Sequence, residues 1–427
     1  MIFTVGPSRT HRAQARRQRI RRASVVTALA CAATLTGPAV AGATTARPPA
    51  ASPAGPQATL TRALDRLVSA GMPGAMGIER DQGREWRAAA GVADLQTGAP
   101  MRAGDKFRIG SMTKAFIATV ILQLVGEHRL SLGDTVSHWL PGLVPNGNHI
   151  TIRELMNMTS GLYDYIDLPF YLNLLHHPLR AWSPVALVKR AVTHPPLFPP
   201  GTQWSYSNTN YVLLGLVVAA VDRAPAWLRY ADPALEAYAR VIWPLRLGQT
   251  SFPLTDPRIS GPHTHGYLIG APAAWHVPPV LDTTNENPSW AWTAGAIVST
   301  LDDVADFHLA LFTGRLLAPA QQKELETTVP AAPGLRYGLG VFRVQTPCGP
   351  AWGHDGGTPN AVSISLTSPD GGHQAAIMVN RDENTWTNAM FTDFASAYLT
   401  AYCGRAVSGT QARSLVPATA ALLREAG

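Results

Sequence analysis

The chain has 427 residues, 46% of them apolar and 15% charged, which is enough for an extensive core and excludes a protein dominated by disorder. Its formal net charge of +7 is concentrated at the start, where Arg9, Arg12, Arg16, Arg17, Arg19, Arg21 and Arg22 precede any acidic residue. Without these seven, the 35 basic residues become 28, equal to the 28 acidic ones; no basic field remains to attract phosphate, and nucleic-acid binding is excluded as the function.

The arginines lead into an uncharged stretch, Ala23 to Ala43, that ends in the small-residue runs Ala39-Val40-Ala41 and Ala41-Gly42-Ala43. That is the pattern of a secretory signal over 1–43, and a secreted protein is expected. Three variants of the reading stay open: an uncleaved anchor, lipidation at Cys31 in Ala28-Leu29-Ala30-Cys31, and a twin-arginine route through Arg21-Arg22. No other stretch is apolar for long enough to cross a bilayer, so no stable membrane insertion is expected after cleavage. Residues 44–57, rich in Ala, Pro and Thr, read as a flexible linker. A single folded body is placed at 58–405 and a C-terminal tail at 406–427.

Within the body, Gln57–Ala70 has Leu60, Leu64, Leu67 and Val68 on one helical face. Met76–Ile78 and Trp86–Val92 read as strands joined by the turn formers Arg80–Gly83. From Met112 the stripe Phe116, Val120, Ile121, Leu124 and Val125 predicts a helix. The middle of the chain has helical patterns at Ile152–Met158, Pro184–Ala191 and Tyr211–Val221, with Pro-rich loops at His194–Gly201 and Pro253–Pro279. Strand-like runs return at Tyr337–Val344, Ala361–Thr367 and Gln374–Asn380, and Thr387–Tyr402 closes as a helix. The expected fold class is therefore α/β (α+β): an antiparallel sheet flanked by helices, formed by 58–115 plus 293–405. A mostly helical lobe, 116–292, is inserted, with the active site between the two lobes.

Three short motifs carry candidate chemistry. Ser111-Met112-Thr113-Lys114 opens the predicted helix and contains one of only four lysines in the chain. At i and i+3 the two side chains share a face, so a lysine desolvated by Met112, Ala115 and Phe116 can serve as base to the serine hydroxyl. Read alone, the same residues describe a serine N-cap beside an exposed lysine. Tyr206-Ser207-Asn208 sits in a polar loop ahead of a helix and offers a phenol and an amide, although Tyr171-Leu172-Asn173 matches the same spacing. Trp352-Gly353-His354-Asp355-Gly356-Gly357-Thr358 lies between two predicted strands, where glycines let a substrate backbone approach a strand edge. By itself it reads equally well as a Gly-rich turn. His263-Thr264-His265 and His176-His177 lack the spacing and the neighbouring ligands of a metal site, so no metal and no cofactor is expected.

Taken together and in this order, the three motifs resemble the penicillin-recognising serine hydrolases, the β-lactamase and DD-peptidase superfamily, over about Leu60 to Gly404. The resemblance extends to Ile150–Leu162 and Trp292–Asp303. It implies that Ser111 is the acylated nucleophile, Lys114 its partner, Tyr206 a proton shuttle and Asn208 a ligand of the substrate amide. It places His354 where other branches carry the Lys of Lys-Thr-Gly, and it implies an oxyanion hole at the N–H groups of Ser111 and Gly357, with Gly356 beside it. Whether Lys114 or ionised Tyr206 is the acylating base stays open.

The histidine variant looks closest to the secreted D-alanyl-D-alanine carboxypeptidases of filamentous bacteria. Partners would then be D-Ala-D-Ala peptides and β-lactams, and a monomer is expected. Cys348 and Cys403, the cysteines left after cleavage, fit the disulfide of that type. In one respect the chain departs from it: Asp355 stands where that type has a threonine that binds the substrate carboxylate, leaving Arg343 as counter-charge and Thr358 as the hydroxyl. Trp292 is the candidate cleft wall, with Tyr163 and Tyr165. An esterase or D-amino-acid amidase shares all three motifs and is the alternative, and a class C-like β-lactamase is a further one, although His-x-Gly in place of Lys-Thr-Gly argues against the typical form; a non-enzymatic cell-wall binder is the reading from outside catalysis.

Overall fold

The computed structural model describes residues 55–413. The expected signal segment 1–43, the linker up to residue 54 and the tail beyond residue 413 lie outside them. The folded body begins with helix α1 (Pro56–Ser69), started by a proline in its first turn and buried through Leu60, Leu64 and Leu67. The hairpin β1 (Gly74–Asp81) and β2 (Arg84–Gly91) follows, then the two-residue strand β3 (Phe107–Arg108) and helix α2 (Thr113–Gly126).

The helical lobe contains α3 (Val136–Trp139), α4 (Ile152–Met156), α5 (Leu168–His176), α6 (Pro184–Ala191), α7 (Asn208–Val221) and α8 (Asp232–Ala237). Two short strands, β4 (Tyr267–Ile269) and β5 (Val280–Asp282), pair within it. The chain returns through β6 (Val298–Ser299), which pairs with β3, to α9 (Leu301–Phe312) and α10 (Pro319–Leu325). It then runs through β7 (Val329–Ala332), β8 (Leu335–Tyr337), β9 (Phe342–Thr346), β10 (Gly349–Thr358), β11 (Ala361–Thr367) and β12 (His373–Val379). Helices α11 (Asn388–Cys403) and α12 (Gly409–Arg413) finish it.

The main sheet has eight strands in the order β2-β1-β12-β11-β10-β9-β8-β7, antiparallel throughout. The N-terminal hairpin therefore joins the last strand, with Met76 opposite Met378, and the two ends of the body close one sheet. Helices α1 and α11 pack together and against β1, and α9 packs on β11 and β12. Helices α2 and α7 pack on each other and are apolar and buried nearly all round, as expected of central helices rather than surface ones. Among the described residues no helix is long and apolar enough to cross a membrane.

Several boundaries differ from the sequence-based expectation. The predicted strand Tyr337–Val344 is broken: Gly338 N–H bonds the Val341 carbonyl at 2.7 Å, turning the chain between β8 and β9. Gly340 has φ +80°, and a Cβ there would lie 2.6 Å from Ala118 Cβ and from Tyr211 Oη, so only glycine fits. The apolar alternation of Tyr337, Leu339 and Val341 masked this turn. Helix α7 starts at Asn208, three residues earlier than expected, which puts Asn208 in its first turn. Residues 406–413 are not all tail, because α12 packs on α11 and buries Ala412.

Cys348 in the β9–β10 turn and Cys403 at the end of α11 form a disulfide with Cα atoms 5.6 Å apart. It closes a loop over a sequence separation of 55, for which chain entropy alone gives about 4 kcal/mol. Cys403→Ala is expected to lower the unfolding free energy by about 2–4 kcal/mol, measured by denaturant titration. Dithiothreitol should bring the wild type down to the same midpoint and leave the variant unmoved.

Candidate active site

Ser111 sits in a single 3-10 turn, Gly110–Met112, between β3 and α2. The turn is tight because Gly110 has φ +54° and lies against β10; a Cβ on it would come within 2.7 Å of the Gly357 carbonyl and 2.9 Å of its nitrogen. The N–H of Ile109 bonds the Ile297 carbonyl at 2.9 Å, fixing the strand that delivers the serine. Ser111 is thus held at the N-terminus of α2, where backbone N–H groups and the helix dipole favour developing negative charge.

Lys114 is wholly buried. Its Nζ donates to Ser111 Oγ at 2.8 Å, to Asn208 Oδ1 at 2.7 Å and to the Ala294 carbonyl at 2.8 Å. It also lies 4.8 Å from the Tyr206 ring centroid and 5.7 Å from that of Tyr211, contacts that favour the cation. Desolvation nevertheless pulls it from the ordinary lysine range down to about 7, against the opposing pull of Asp164 and Asp355. A large share is neutral near physiological pH, so this lysine can accept the serine proton.

Tyr206 hydrogen-bonds Ser111, and burial, reinforced by Asp355, drives its phenol well above the ordinary tyrosine range. The phenol is therefore protonated at rest, and of the two candidate bases left open by the sequence the electrostatics favours Lys114.

Asn208 lines the cavity beside Ser111. Its Oδ1 is taken by Lys114, and its Nδ2 donates to Asp164 Oδ2 at 2.8 Å. The amide therefore bridges the lysine to a buried carboxyl as well as facing the cavity. Burial pushes Asp164 up to about 6, while the Ile166 N–H, Asn208 and Lys114 oppose that rise. Asp164 was not singled out in the sequence; its only sign there is an acid set between two tyrosines, Tyr163 and Tyr165.

The third motif is placed differently from the expectation. His354 is wholly buried and does not line the cavity. Its Nδ1 faces the Asp355 carbonyl at 2.7 Å and its Nε2 the Tyr337 hydroxyl at 2.9 Å. A carbonyl can only accept, so Nδ1 carries a hydrogen. Tyr337 packs edge-on against Tyr206, with centroids 6.4 Å apart, and His354 reaches the cluster through that ring. Asp355 is buried, with Oδ1 3.2 Å from His354 Nδ1; its charge bears on Lys114, on Tyr206 and on Glu383.

Gly356 does not line the cavity; a Cβ there would collide with the Ile109 carbonyl, so its bareness lets the turn that carries Ser111 seat on β10. Gly357 and Thr358 line the cavity. The Thr358 hydroxyl, however, accepts from the N–H groups of Asn360 and Ala361 at 3.3 and 3.2 Å, capping the β10–β11 turn.

Two further candidates lie elsewhere. Arg343 pairs across β9 with Arg336 and Trp352 and does not line the cavity; the break after Tyr337 sets its register. Trp292 is buried with its indole N–H on the Tyr230 carbonyl at 3.0 Å, while its neighbours Trp290 and Ala291 line the cavity. Tyr165 is buried with its hydroxyl on the Trp290 carbonyl at 2.7 Å, and Tyr163 stacks on His194 with centroids 4.0 Å apart. The apolar wall is instead made by Phe170, Tyr171 and Leu174 of α5 with Trp290, and the loop after β12 adds Asp382 and Glu383.

A family model described as Beta-lactamase matches residues 57–394. The chain belongs to that family, within the β-lactamase and DD-peptidase superfamily expected from the motifs. Among solved structures it resembles a D-stereospecific amidohydrolase from Streptomyces sp., with 35% identity and a TM-score of 0.72 over 82% of this chain and 99% of that one. It also resembles the D-amino acid amidase of Ochrobactrum anthropi SV3 complexed with D-phenylalanine, at 26% identity and a TM-score of 0.66 over 76% and 92% of the two chains. Among curated proteins, Penicillin-binding protein 4* of Bacillus subtilis (strain 168) is 27% identical over 304 residues, 69% of this chain and 65% of that protein. The match thus spans just under two thirds of that relative.

With neutral Lys114 as the proton acceptor, kcat/KM should rise with pH through a limb near 7 and level off above it, because the protonated amine cannot take the serine proton. The negative charge of Asp164 supports the cation, so Asp164→Asn should move that limb to lower pH, read from pH–rate profiles. Lys114→Ala should lose about 10²–10⁴-fold in kcat.

Proposed function

We propose that this chain is an exported serine amidohydrolase that cleaves D-aminoacyl amides and short peptides through an acyl-enzyme on Ser111. The observation that carries the reading is the Ser111–Lys114 contact of 2.8 Å, beside a cavity with an apolar wall of Phe170, Leu174 and Trp290 and with no arginine or lysine among its described lining residues. Lys114 takes the hydroxyl proton as Ser111 Oγ attacks the carbonyl carbon. The oxyanion is received by the N–H groups of Ser111 and Gly357, and Tyr206, hydrogen-bonded to Ser111, passes its proton to the departing nitrogen and is reprotonated from Lys114. Water then attacks the ester, giving one proton to Lys114, which returns it to Ser111 Oγ as the acid is released. His354 acts through Tyr337 as a positioning residue. The Arg-rich start and the Cys348–Cys403 disulfide support export.

The similarity to the Streptomyces amidohydrolase over nearly its whole length favours amide substrates of D configuration. The carboxypeptidase reading, favoured by the similarity to Penicillin-binding protein 4*, needs a cation for the substrate's terminal carboxylate. Here that group would meet Asp382 and Glu383 instead.

D-Phenylalanine p-nitroanilide should be hydrolysed faster than its L isomer, and Ser111→Ala should lose at least about 10³-fold in rate. Intact mass after benzylpenicillin tests the second reading. A persistent adduct on Ser111 together with release of D-alanine from a D-Ala-D-Ala peptide, without anilide turnover, would replace the amidase with the carboxypeptidase.

A further inference from the structure

Asp382 and Glu383 follow β12 and line the same cavity as Ser111. Asp382 is engaged: Oδ2 accepts from the Tyr171 hydroxyl and Oδ1 from the Asn384 N–H, both at 2.7 Å. Glu383 is only 7% exposed, and its Oε2 has no hydrogen-bond partner among the described residues. A buried carboxyl left in this state is costly, and the group that satisfies it is a hydrogen-bond donor, best of all a cation. Among the described residues no arginine or lysine lines the cavity to play that part, which leaves the donor for a ligand to bring.

The position of Glu383 sets the kind of ligand. Its Oε1 lies against Gly357, where any Cβ would collide with it. The other flank of the same glycine packs against Gly110, the residue before Ser111. Gly357 thus touches both the Glu383 carboxyl and the turn that carries Ser111, so the carboxyl is placed for a donor close to the carbonyl under attack. In an aminoacyl substrate the nearest such donor is the α-amino group, bonded to the carbon next to the acyl carbon. The facing wall of Phe170, Leu174 and Trp290 fits an apolar side chain on the same α-carbon.

We infer that Glu383, backed by Asp382, anchors the α-ammonium of an aminoacyl substrate, so that the enzyme requires a free amino terminus. The inference rests on the acyl-enzyme reading of Ser111. Burial and the neighbouring Asp382 raise the Glu383 carboxyl well above its ordinary range, and an arriving ammonium reverses that imbalance. The arrangement disfavours N-acylated donors, which carry no charge at this position.

The test is calorimetric binding to the full chain carrying Ser111→Ala, which separates recognition from turnover. D-Phenylalaninamide is expected to bind at least tenfold more tightly than N-acetyl-D-phenylalaninamide, and Glu383→Gln in the same background should collapse that preference. Equal or tighter binding of the acetylated ligand, no detectable binding of either, or a preference that survives both Glu383→Gln and Glu383→Ala would overturn the inference. The comparison of the two ligands needs no change at Glu383, so it stands even where a variant folds poorly. Amine-dependent binding without anilide turnover by the wild type would retain the anchor and defeat amide hydrolysis. Turnover without the preference would do the reverse.

Discussion

The constraint on which the site depends is the burial of one lysine. An ammonium removed from water is tolerated only where its donors are met and its charge is balanced. Lys114 has three acceptors drawn from three separate parts of the chain: Ser111 on its own turn, Asn208 at the start of α7 and the carbonyl of Ala294. The electrostatic balance is supplied by Asp164 and Asp355, from the helical lobe and from β10. Satisfying this amine therefore requires both lobes to be in place, and the lysine that serves the chemistry also ties the lobes together.

The bareness of the β10 edge follows from the same packing. Gly110, Gly356 and Gly357 form a run of backbone against backbone, in which Gly356 yields to the Ile109 carbonyl and Gly357 to the Glu383 carboxyl. What reads in sequence as room for a substrate is in part room for the enzyme's own strands and side chains. The buried pair Arg108–Glu286 secures the other side. Its guanidinium donates to the carbonyls of Pro257 and Glu286 at 2.7 and 3.1 Å, and burial pushes the Glu286 carboxyl up to about 7 in spite of Arg108.

Much of this was legible from local pattern. The apolar period of Leu60, Leu64 and Leu67 marks α1, and the spacing of Ser111 and Lys114 places two reactive groups on one face, because both depend only on helix geometry. The division into a sheet lobe and an inserted helical lobe follows from the order of strand-like and helix-like runs. Local pattern misled where the answer lay across the chain. The resemblance puts His354 where other branches carry the third-motif lysine, yet its ring is buried on Tyr337 and the Asp355 carbonyl and lines no part of the cavity. Arg343 was expected as a counter-charge, yet the turn at Gly340, dictated by Ala118 and Tyr211, puts it in register with Arg336 and Trp352.

The sequence by itself determined the family and the placing of Ser111 beside Lys114, since motif spacing is a property of the chain. The tertiary structure decided how strongly the lysine is desolvated, which carboxyls reach it, and that Asp382 and Glu383 close the cavity. Those depend on burial and on contacts between residues as distant as Lys114 and Ala294, or Gly357 and Glu383, and no local period encodes them.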